Sequence, residues 1–136
     1  MYSFRFKSHI ADIRMAVKAS SLEELFTGGL EGMLEFMEPK KTDPQSRLNY
    51  SFHIQSSDSA ALIVDFLNEI LTRIHVDKAV YHIEDIRFGP ESSIHAGISG
   101  SSTDGFRKDV KAATYHENYI RKSKAGIWET LIIFDI

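Results

Sequence analysis

The chain has 136 residues, 43% of them hydrophobic, with 16 Lys plus Arg against 19 Asp plus Glu and a formal net charge of −3. That length suits one globular domain over residues 1–136, and the scattered basic residues lack the patch of a dedicated nucleic-acid binder. There is no cysteine, which excludes disulfides and thiolate-held metals. No run reaches the roughly 20 apolar residues of a membrane span or the apolar core of a signal peptide, so a cytoplasmic protein without a membrane partner is expected.

Residues Tyr2 to Lys7 and Ile13 to Val17 alternate apolar and polar side chains, predicting two strands around a turn at His9 to Asp12. In "SSLEELFTGGLEGMLEFME", Leu22, Leu25, Phe26, Leu30, Met33, Leu34 and Met37 recur at helical spacing. A Ser-x-x-Glu capping box precedes them, at Ser20/Glu23 or Ser21/Glu24. Gly28 and Gly29 in that helix predict close packing or a kink, since each glycine costs about 1 kcal/mol against Ala in a helix interior. A loop, "EPKKTDPQS", leads to "RLNYSFHIQ", a strand with Leu48, Tyr50, Phe52 and Ile54 on its buried face. "SSDSAALIVDFLNEILTRIH" is the strongest helix. "KAVYHIEDIRFG" and "SSIHAGISGS" predict strands about a Gly-Pro turn, and "DVKAATYHENYIRK" and "GIWETLIIFDI" a closing hairpin around "SKAG". The order predicts an α+β fold, two helices packed on one face of a largely antiparallel mixed sheet.

Three carboxylates draw attention: Asp12 at the first turn, Asp135 at the end of the last strand, and the main-chain carboxylate of Ile136. Should the first and last strands be neighbours, these hard oxygen donors suit Ca²⁺, Mg²⁺ or Mn²⁺; an Asp at a turn and a polar chain end are also ordinary surface features. The six histidines lack the i, i+4 spacing of a helical zinc site, but His9 and His116 stand beside "ADI" and "KAATY", where they would support a polar site. Alternation over "DVKAATYH" places Asp109, Lys111, Ala113 and Tyr115 on one face. Lys111 among small residues is either an exposed strand lysine or a point charge for a phosphate or a partner's carboxylate. Asp65 and Glu69 on the second helix read as a solvated face, and Asn68 beside the apolar stripe as a tie from helix to loop. "GISGSSTDG" lacks the Gly-Lys-Ser/Thr ending of a phosphate loop.

Taken together, "HIADI", "DFLNEIL", "VKAATYH" and the terminal "FDI" resemble the archease family, in order and over nearly the whole chain. The resemblance implies a non-enzymatic accessory protein for an RtcB-type RNA ligase, which joins RNA ends in tRNA splicing and RNA repair and is activated by guanylylation of its histidine. RNA would be met only through the ligase. By motif, the family's metal ligands fall on Asp12, Asp135 and the Ile136 carboxylate, and its functional lysine on Lys111, with a divalent cation as cofactor. The family pattern His-Thr-Ala-Asp-Ile-Gly is altered here, Ile10 standing for Thr and Arg14 for Gly. If the chain is extended, Arg14 shares a face with Asp12 and its guanidinium competes with a metal for the carboxylates. Two rival readings share these residues: a cation-binding, chaperone-like module for another protein, and a metal-dependent phosphoesterase. Against the latter, no nucleophile has a base at a recognisable spacing.

Overall fold

The computed structural model describes residues 1–8 and 12–136; the expected turn around His9 lies outside them. Seven strands and two helices follow in the order β1 (Tyr2–Ser8), β2 (Asp12–Ala19), α1 (Leu22–Met37), β3 (Leu48–Gln55), α2 (Ser59–Asp77), β4 (Ala79–Gly89), β5 (Ser93–Ser102), β6 (Ala112–Lys122) and β7 (Trp128–Asp135). The α+β class is as expected. The strands divide into two sheets, ordered β1-β2-β7-β6 and β3-β5-β4, with antiparallel neighbours throughout. No described helix is long and apolar enough to cross a membrane.

Both helices begin where their capping residues stand. The Ser21 hydroxyl accepts from the Glu24 N–H at 3.1 Å, and the Asp58 carboxylate from the Ala61 N–H at 2.8 Å. Each satisfies an N–H that the first helical turn leaves without a carbonyl partner. The helices bury their apolar sides against both sheets. Phe26 of α1 meets Phe66 of α2 at 5.1 Å between ring centres and Phe88 of β4 at 5.0 Å. Phe66 in turn meets Phe52 of β3 at 6.0 Å.

The glycines of α1 let that helix lie close on the first sheet. A Cβ at Gly28 would come within 3.0 Å of Tyr2 and Val17, and one at Gly32 within 2.5 Å of the Met15 sulfur. Strand alternation does the rest. In β2, Met15, Val17 and Ala19 are buried in the core with Ile132 and Phe134 of β7, leaving Arg14, Ala16, Leu131 and Ile133 on the sheet's other face.

Candidate functional site

Strand β2 pairs with β7 so that Asp12 lies directly opposite Asp135, and Asp135 in turn lies opposite Ala112 of β6. Side chains alternate between faces, so Asp12 and Asp135 share the face turned away from the helices, at one end of the four-stranded sheet. Asp12 is half-buried and Asp135 exposed. The Asp12 Oδ1 is buried and has no hydrogen-bond partner among the described residues. Ile136 follows, 39% exposed. Among the described residues, no group of three or more His, Cys, Asp or Glu side chains is arranged to hold a metal. The candidate donors among the described side chains are therefore the two carboxylates of Asp12 and Asp135, with Ile136 next along the chain.

Lys111 adjoins this cluster through its backbone. Its N–H donates to the Asp135 carbonyl at 2.8 Å, and its side chain is exposed. The expected alternation from Asp109 does not hold, because β6 begins only at Ala112. Val110 and Ala113 are the buried residues of the segment, at 0% and 4% exposure. Asn68 fixes this phase: its amide donates to the Ala113 carbonyl at 2.9 Å and accepts from the Ala113 N–H at 2.8 Å. The anticipated tie from α2 thus reaches the start of a strand.

Strand β6 then leaves register. It places four residues, Tyr115 to Asn118, opposite the single Ile132 of β7, since Thr114 pairs with Ile133 and Tyr119 with Leu131. Bulges of this kind re-aim side chains. The bulge is anchored to α2: the Tyr115 hydroxyl donates to the Asp65 carboxylate, and the Asn118 amide to the Ala60 carbonyl at 2.7 Å. The Asp65 carboxylate raises the pKa of that hydroxyl, first through the hydrogen bond, with burial and charge adding. Asp65 also accepts from Ser56 at 2.5 Å, and Glu69 from Tyr50 at 2.9 Å. These two acids are half-buried and engaged, where a solvated face was expected.

Two residues at the bulge have opposite fates. His116 is exposed, its N–H donating to the Thr114 hydroxyl at 3.3 Å. Glu117, with φ of 54°, reaches Arg14 and accepts from its two terminal guanidinium nitrogens, at 2.7 and 3.3 Å. Arg14, expected to compete for the Asp12 and Asp135 carboxylates, is thus engaged by a different acid, Glu117. Glu117 raises the Arg14 pKa, chiefly by hydrogen bonding against the opposing effect of burial, and the charges of Glu117 and Asp12 add to the rise. The sequence offered no sign of Glu117, because the bulge that aims it depends on pairing across β6 and β7. His9 lies outside the described residues. The remaining histidines serve elsewhere, His75 beside Asp109 at 3.3 Å, His82 beside Glu31 at 2.7 Å, and His53 facing His95.

A family model described as the Archease protein family (MTH1598/TM1083) matches residues 4–136. Protein archease of Methanosarcina mazei is 28% identical, with 98% of this chain and 95% of that protein covered. Protein archease of Danio rerio is 26% identical, with 98% and 85% covered. Among solved structures, Methanobacterium thermoautotrophicum protein 1598 superposes with a TM-score of 0.74 at 20% identity, covering 98% of both chains. An archease of Thermotoga maritima superposes with a TM-score of 0.68 at 19% identity, covering 94% of this chain and 93% of that one. At such identities the structural matches speak to the fold.

Proposed function

Since the chain belongs to the archease family, we propose that it is a cytoplasmic accessory protein that activates an RtcB-type RNA ligase and is not itself a catalyst. It would promote guanylylation of the ligase and repeated turnover, meeting RNA only through its partner. The observation that carries this reading is convergence. Asp12, Asp135 and Lys111 stand in three separated motifs, yet the two aspartates face each other across β2 and β7 while Lys111 donates its N–H to Asp135.

The donor set fits a hard divalent cation. Two like charges about 4 Å apart repel by about 4 kcal/mol at an effective dielectric near 20, so facing carboxylates call for a neutralising charge. The buried Asp12 Oδ1, without a partner among the described residues, is an acceptor of the right kind. Asp12, Asp135 and the Ile136 carboxylate would hold the ion, which would supply positive charge to phosphate oxygens or to a carboxylate of the ligase. The exposed Lys111 ammonium would add a mobile cation at the same edge, suited to a phosphate or an acidic group of the partner.

The test is the guanylylation rate of the same organism's ligase with GTP and Mn²⁺, in the presence of wild type, Lys111→Ala or Asp12→Asn. Both variants should keep the wild-type unfolding midpoint and lose most of the stimulation. Full stimulation by both would remove the carboxylate end of the sheet from the functional account.

A further inference from the structure

We propose that Glu117 is a positioning residue that sets the cation affinity of the Asp12/Asp135 end of the sheet by holding the Arg14 guanidinium away from it. The inference rests on the cation reading given above and adds a residue that the family motifs do not single out. Arg14 lies two residues along β2 from Asp12, on the same face, and opposite Ile133 of β7, which is itself two residues from Asp135. A guanidinium in that position has two sets of acidic partners within the span of its side chain. Paired with the carboxylates of Asp12 and Asp135, it would neutralise them and occupy their oxygens. Paired with Glu117, its charge is answered from the other side.

The structure has the second arrangement, with both terminal nitrogens of Arg14 donating to the two oxygens of Glu117. The Arg14 Nε, buried, has no acceptor among the described residues, so the two terminal nitrogens are its described contacts. Glu117 is held where it can do this. Its backbone is left-handed, which disfavours a residue with a Cβ unless the surroundings fix it. The residues on either side of the His116–Glu117 pair, Tyr115 and Asn118, are both bonded to α2. The bulge in β6 thus turns one carboxylate over the sheet toward β2 while its flanks stay on the helix.

The experiment is calorimetric titration of the intact protein with Ca²⁺ alone and Mn²⁺ alone, for wild type, Glu117→Ala, Arg14→Ala and the double variant, with unfolding midpoints measured alongside. Glu117→Ala should weaken binding by about tenfold, the scale of one charge moved near a surface site, and Arg14→Ala should bind within about twofold of wild type. In the Arg14→Ala background, removing Glu117 should change nothing, a non-additivity that a general loss of structure does not produce. Equal weakening in both backgrounds would make Glu117 a direct attractor of the ion and overturn the positioning role. So would wild-type affinity in Glu117→Ala. Absence of binding in all four proteins would overturn the cation reading itself, and this inference with it.

Discussion

Asn68 is the polar residue on α2 whose loss should be felt at a distance. Its amide satisfies both backbone groups of Ala113, the residue that starts the buried phase of β6. Replacing it by Ala leaves a part-buried N–H and C=O without their partner, at about 1–3 kcal/mol. Asn68→Asp should cost at least as much, since a carboxylate cannot donate to the Ala113 carbonyl. Urea unfolding of both variants measures this, and wild-type stability in either would mean that β6 is held by β7 alone. A second residue gives a pH signature. The Glu31 carboxylate raises the His82 pKa above its usual value of about 6.5, mainly through their hydrogen bond, with burial opposing and charge attraction adding. A raised folded pKa means that the stabilisation is fully present below pH of about 6.5 and is lost as pH rises through the folded value. Because the imidazole is 57% exposed, the pair is worth only about 0.2–1 kcal/mol. Glu31→Gln should lower the unfolding midpoint at pH 6 and leave it unchanged at pH 9; an equal effect at both would place the contribution of Glu31 outside this pair.

At the scale of elements, the glycines of α1 divide by what faces them. A Cβ at Gly32 would strike the Met15 sulfur at 2.5 Å and Phe4 at 3.0 Å, whereas one at Gly29 would find ordinary contacts at 3.7–3.8 Å. Gly32→Ala should therefore destabilise by about 1–3 kcal/mol through overpacking. Gly29→Ala should stabilise by up to about 1 kcal/mol, since Ala is the better helix former. Thermal melts of the two separate them, and stabilisation by both would mean that α1 does not sit this close to β1 and β2. The helices were legible because spacing and capping act over a few residues, as at Ser21. The close packing of α1 was legible too, though the sequence points to Gly28 and Gly29, and the tightest contact falls at Gly32. The division into two sheets and the late start of β6 were not. Both follow from which strands pair across the chain, and Arg14 and Glu117, 103 residues apart, meet only through a bulge that no local alternation encodes.

Across the whole molecule, the helices pack against the inner faces of the two sheets, and Asp12 and Asp135 lie on the other face of the four-stranded sheet, at one end of it. The resemblance named Asp12, Asp135 and Lys111 because motifs are local; their meeting depends on β2 and β6 flanking β7. We propose that this end of the sheet serves a ligase and performs no ligation of its own. It is tested most directly by counting ligation events per molecule of the same organism's RtcB-type ligase, with GTP and Mn²⁺, with and without an equimolar amount of this protein. The ligase should complete few turnovers without it and many with it, and the protein alone should join no RNA ends. An unchanged number of turnovers would contradict it.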